Sequence, residues 1–131
     1  MRETAGRVYV WGVYLVAAVV AIQFLLAGLG VFTNSEFLFW HAVVNGSIVF
    51  FLPIVVVLIG WLGRVPARVF GLCGLISGLV ILQSLFLIPY HANAQGVVRA
   101  IAGLHVLNAL VIAWITFQLI DRTRAWASRT A

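Results

Sequence analysis

Four long apolar stretches, separated by short polar breaks, organise this chain of 131 residues. They run over about 8–32, 38–62, 67–90 and 98–120. Each is close to the ~20 residues that a helix needs to cross a bilayer. Apolar residues fill these runs continuously instead of alternating, which argues for helices and against a transmembrane β-barrel. The breaks TNSEF, GRVPAR and HANAQG are short. Short breaks force neighbouring helices to run in opposite directions, so the expected fold is an all-α membrane protein. It is an antiparallel four-helix transmembrane bundle in one domain, 1–131.

Composition supports this class. Hydrophobic residues make up 64% of the chain and charged residues only 8%, against roughly 25% charged in soluble domains. The net charge of +5 comes from arginines at segment ends, which points to topology and lipid headgroups and predicts no nucleic-acid partner. Arg2, Arg7, Arg64, Arg68, Arg122, Arg124 and Arg129 fall on one side, and only Arg99 on the other. The positive-inside rule then predicts a multi-pass protein of a bacterial cytoplasmic membrane with both termini cytoplasmic. A cleavable signal peptide is not expected, because the first apolar run is too long. Cys73 lies inside an apolar run and reads as a small packing residue.

Polar residues inside the runs are few and regularly placed. The first and third stretches carry one glutamine each, Gln23 and Gln83. The second and fourth carry a histidine followed one turn later by an asparagine, His41 with Asn45 and His105 with Asn108. The order suggests two pseudo-symmetric helix pairs related by an axis along the membrane normal. His41 should lie roughly 5 Å and His105 roughly 10 Å below the outer surface, at 1.5 Å per residue. In a four-helix bundle their helices are diagonal partners.

An intramembrane histidine is costly and usually has a partner or a ligand. Two at similar depth on diagonal helices can offer two imidazoles to one metal centre, and a haem is the expected group. One low-spin, bis-histidine haem would take His41 and His105 as iron ligands. Asn45, Asn108, Gln23 and Gln83 stand at similar depth as its polar surroundings. Gly46 and Gly103 would let a macrocycle approach, and Trp40 would anchor the interface or stack near the haem edge. Arg99, six residues before His105, is a candidate partner for a propionate. His91 reads as a solvated loop residue. The competing reading of the histidines is hydrogen-bonding glue between helices. A zinc site is disfavoured, because two ligands do not complete one. Gly71, Gly74 and Gly78 suggest a small-residue packing face, and Pro53 should bend the second helix below His41.

These residues bring out a resemblance. Gln23 with Gly28 and Gly30 in QFLLAGLG, His41, Gln83, and Leu104-His105 with Asn108-Ala109 make nearly the whole chain resemble one four-helix half of haem A synthase. The chain is also similar to small four-helix membrane proteins of unknown function whose last helix reads LHxxNA. The resemblance implies a b-type haem held by His41 and His105 near the outer face. The catalytic half of the synthase carries a glutamate one turn before its helix-two histidine. Position 38 here is Leu, and the nearest acid is Glu36. The TNSEF loop also lacks the cysteine pair of many bacterial versions. The chain therefore resembles a cofactor-holding half, not a complete synthase.

The function expected from the sequence is electron transfer or haem handling, with no enzymatic step assigned. The alternative is a haem-free accessory subunit of a larger membrane complex. The bilayer is the expected partner, with a larger complex or a homo-oligomer beside it. A transporter is disfavoured, since no Asp or Glu lies within a span.

Overall fold

A computed structural model of the chain describes residues 2–129. Those residues form four helices long and apolar enough to cross a membrane: α1 (Arg2–Phe32), α2 (Glu36–Leu62), α3 (Ala67–His91) and α4 (Gly96–Ala127). The protein is an all-helical, multi-pass membrane protein. Its surface carries large apolar side chains along every helix, such as Leu25, Phe51, Leu85 and Leu107. Their fit is to lipid tails, since a water-facing surface would not expose so much contiguous apolar area.

The breaks follow local chemistry. After Phe32 the N–H groups of Thr33 and Asn34 both bond to Leu29 O. Asn34 Oδ1 then takes the Glu36 N–H at 2.9 Å and starts α2. Arg64 adopts a left-handed φ of 54° before Pro66, which cannot continue a helix but can precede one. Asn93 and Gly96 supply the positive φ values that turn α3 into α4. Helices α1 and α4 extend beyond the expected 8–32 and 98–120. Their polar ends still make backbone hydrogen bonds, which hydropathy does not register.

Each helix packs on its chain neighbours, and α4 returns to α1. Gly30 sits on Leu38, Gly12 on Val56, and Gly63 on the backbone of Ala5 and Gly6. At the far end of α4, Trp126 meets the Tyr9 ring edge-on at 6.0 Å, and Arg124 Nε donates to Tyr14 Oη at 3.0 Å.

The core has a repeated register. In α1, Tyr9, Val13, Val16, Val20 and Gln23 are buried. In α3 the buried residues Val69, Cys73, Ile76, Val80 and Gln83 follow at the same four-three spacing. This is the seam spacing of helices that pack at a shallow angle. In α2, Val49, Pro53, Val56 and Gly60 are buried, and Ile112, Thr116, Leu119 and Thr123 repeat that spacing in α4.

One difference breaks the register. Val49 lies eight residues after His41, whereas Ile112 lies seven after His105. The additional residue of α2 is absorbed by a π-helical turn, Asn45–Val49. Pro53 explains its position. Proline offers no N–H to Val49 O, so the α-helical ladder is interrupted there and restarts at Phe50. The bend expected from Pro53 thus takes the form of this wider turn. Ser77 of α3, itself buried, donates to Phe50 O at 2.8 Å and ties the junction to the next helix.

The expected packing face Gly71, Gly74 and Gly78 turns outward instead. A methyl group at Gly71 or Gly78 would meet nothing within 4 Å, and one at Gly74 only Val57 at 3.8 Å. The close approaches are made by Gly12, Gly30, Gly60 and Gly63, which belong to α1, α2 and the turn after it.

Candidate functional site

The two histidines meet. The His41 and His105 ring centroids are 6.2 Å apart, with their planes at 63°. Each imidazole is half-buried and lines a cleft of about 610 Å³, counted out to its open mouth. Val20, Gln23, Phe24 and Ala27 line it from α1, His41, Asn45 and Val49 from α2, Gln83 from α3, and His105, Val106, Ala109 and Ile112 from α4. Phe24 and Val106 are exposed at its rim, so the mouth faces sideways between α1 and α4. Apart from the His, Gln and Asn side chains, the walls are apolar.

The same hydrogen bond orients both rings. His41 Nδ1 lies 3.1 Å from Gln23 O, and His105 Nδ1 lies 3.2 Å from Gln83 O. A carbonyl only accepts, so Nδ1 carries the proton in each of these bonds, and Nε2 is left as the basic nitrogen. This N–H···O=C bond is the arrangement by which proteins fix the tautomer of a metal-binding imidazole. The glutamine that precedes each histidine in sequence thus supplies its backbone anchor.

Beyond that bond the two halves differ. Gln83 also turns its side chain onto His105, with Nε2 to Nε2 at 3.3 Å. Its amide oxygen accepts from Asn108 Nδ2 at 2.6 Å, and Asn108 donates as well to Leu79 O at 2.8 Å. Gln83 and Asn108 are both buried. The Gln23 amide is satisfied at both ends by the backbone of α2. Its nitrogen donates to His41 O at 3.1 Å and its oxygen accepts from Asn45 N–H at 3.2 Å. That nitrogen also lies 2.7 Å from His41 Nδ1, which gives His41 a second tautomer with its proton on Nε2. In both tautomers His41 Nε2 has no hydrogen-bond partner among the described residues.

Of the residues singled out in the sequence, His41, His105, Asn45, Gln23 and Gln83 line one cleft, and Asn108 buttresses it. Arg99 does not line it. It is exposed, and its guanidinium stacks over the Tyr90 ring at 5.2 Å. Gly46 and Gly103 do not line it either; a methyl at either would meet nothing within 4 Å. Trp40 is exposed and meets Phe39 edge-on at 5.6 Å. His91 is exposed beside Tyr90. Ser77 and the π-turn were not singled out. The signal for Ser77 was a lone hydroxyl within an apolar seam. Among the described residues, no three of His, Cys, Asp and Glu cluster closely enough to hold a metal ion together.

Fold and site together define a four-helix membrane protein with a laterally open cleft and two facing, backbone-anchored imidazoles. The chain belongs to a family of unknown function, DUF6220, whose family model matches residues 23–89, just over half of the chain. The matched segment runs from Gln23 through His41, Asn45 and Gln83 and ends before Arg99 and His105. No curated protein and no solved structure matches the chain.

Proposed function

We propose that the protein is a membrane b-type haem protein, whose iron would be held by His41 and His105, serving electron transfer or haem handling. The observation that carries this reading is the facing pair of anchored rings. An imidazole–metal bond is about 2.0–2.1 Å long. Two such bonds in line put the ring centroids roughly 6 Å apart, and the separation here is 6.2 Å. The donor set fits: two neutral imidazoles, each with Nδ1 on a carbonyl. The walls of the cleft are apolar apart from the His, Gln and Asn side chains, and its lateral mouth suits entry of a flat hydrophobic ring from the bilayer.

When bound there, the iron supplies a one-electron couple. The chain's own residues do the rest. The Gln23 and Gln83 carbonyls hold the two Nδ1 protons. Asn108 fixes Gln83, while Val20, Val49 and Ile112 keep water from the imidazoles. The test is the absorbance spectrum of purified protein, oxidised and reduced, which should show the sharp α and β bands of a low-spin haem b. A chain that purifies without haem and takes up none would refute the reading.

In this reading the helices run antiparallel in up-down-up-down order. Both termini are cytoplasmic in a bacterial membrane, and the cleft lies in the outer half of the bilayer. Seven of the eight arginines support that orientation. C-terminal reporter fusions should be active only for a reporter that works in the cytoplasm. Activity of an external reporter would reverse the orientation.

Arg99 remains the proposed partner of a propionate. It is the one arginine outside the positive-inside set, and its stacking on Tyr90 holds it at the start of α4. Because it is exposed, the pair should contribute less than about 1 kcal/mol. Arg99→Ala should lower haem retention a few-fold and shift the midpoint potential down, since a nearby positive charge favours the reduced iron. The low-spin spectrum should persist. Unchanged retention and potential would assign Arg99 to lipid headgroups.

A further inference from the structure

We propose that the two histidines are unequal. His41 is the fixed ligand, and His105 is an exchangeable one whose Nε2 is held by a Gln83–Asn108 latch. A small neutral diatomic of the carbon monoxide class can therefore take the His105 position on the iron. The exchange rests on the haem reading above; the inequality of the two rings does not.

The latch is built from buried groups. Gln83 holds His105 twice, by its carbonyl on Nδ1 and by its amide on Nε2, and Asn108 fixes the amide from behind. For His105 to donate through Nε2, the Gln83 amide must leave, and its buried N–H then lies unpaired among apolar walls. Leaving a buried donor unpaired should weaken ligation at His105 by roughly tenfold or more. At His41 the Gln23 amide reaches Nδ1 and the backbone of α2 but not Nε2, so the tautomer with its proton on Nδ1, held by Gln23 O, has no Nε2 hydrogen bond to break.

The inequality has a cause in the sequence. Asn45 follows His41 by four residues, and Asn108 follows His105 by three. On an α-helix that step turns a side chain by about 100°. The additional residue of α2 is the one that the π-turn absorbs. In the α3–α4 half, the Asn side chain therefore meets the Gln amide oxygen. In the α1–α2 half, a backbone N–H takes that place.

Two experiments test this, one without haem. In the haem-free protein, diethyl pyrocarbonate should modify exposed His91 fastest and His41 next. His105 should react slowest, roughly fivefold or more behind His41. Gln83→Leu should bring His105 to the His41 rate and leave His41 unchanged. Asn108→Ala, which loosens the amide without removing it, should act in the same direction by less. Equal rates at His41 and His105 in the unaltered protein, or a His105 rate unmoved by both variants, would overturn the inequality.

In the haem-loaded, reduced protein, carbon monoxide should bind. Gln83→Leu should weaken that binding by roughly tenfold, because an unlatched His105 competes better for the iron. A loaded protein that refuses carbon monoxide, or that binds it equally in both forms, overturns the exchange while leaving bis-histidine ligation intact. A protein that shows no Soret band on haem addition fails at the haem reading itself. That outcome is seen before carbon monoxide is added and leaves the diethyl pyrocarbonate order to decide the inequality alone.

Discussion

Reduced protein carrying His41→Ala or His105→Ala should lack the sharp α and β bands of a low-spin haem, and the two variants should differ in what remains. The bands require two strong-field nitrogens on one iron, so either loss suffices to remove them. His105→Ala keeps the open, unlatched ligand. It should retain haem as a five-coordinate, high-spin centre that binds carbon monoxide tightly. His41→Ala keeps only the ring whose Nε2 is tied to Gln83 and should lose most of its haem during purification. Neither substitution opens the core, since both rings are half-buried on the cleft wall. Each leaves one glutamine carbonyl without its imidazole donor, a loss of about 0.5–1.5 kcal/mol. Helix content and expression should therefore hold, and His91→Ala should change nothing spectrally. Low-spin bands that persist in both variants would remove His41 and His105 as ligands.

Much of this site could be read from spacing alone. A membrane-spanning seam tolerates a polar side chain only where a partner waits, so Gln23, Gln83, His41, His105 and Asn108 announced that they meet something. The structure adds that they meet one another, through bonds that pair each histidine with the glutamine of the preceding helix. The π-turn was harder to see. Hydropathy is blind to one additional residue in a continuous apolar run, and Pro53 signals a disturbance without giving its form. The count from His to the next buried position, eight in one half and seven in the other, does carry it. That comparison needs the buried positions first, because nearly every residue of these helices is apolar whether it faces the core or lipid. The same ambiguity misassigned Gly71, Gly74 and Gly78. A row of small residues marks a helix face but not the side on which a neighbour lies. Arg99 stands six residues before His105 in the sequence. Its guanidinium stacks over the Tyr90 ring across the turn, a contact that spacing alone does not announce.

Gly60→Leu should destabilise the bundle strongly, whereas Gly71→Leu should be nearly silent. At Gly60 an added Cβ would lie 2.9 Å from Phe70 Cβ and 3.0 Å from two ring carbons of Tyr9. None of these neighbours is the free end of a flexible chain. Phe70 Cβ is fixed by the first turn of α3, and Tyr9 is fully buried against Trp126. A leucine there must push α2 away from α1 and α3, at a cost of about 1–3 kcal/mol or more for overpacking. At Gly71 the same side chain enters open space facing lipid and should change stability by less than about 0.5 kcal/mol. Thermal unfolding in detergent, followed by circular dichroism, should show Gly60→Leu melting well below the unaltered protein and Gly71→Leu melting with it. The damage at Gly60 lies at the end of the bundle away from the histidines, so haem that remains bound in folded Gly60→Leu protein should keep its low-spin bands. The reverse order of melting, with Gly71→Leu the weaker protein, would mean that the outward stripe packs against another helix and that the α1–α2–α3 crossing is looser than the contacts at Gly60 require.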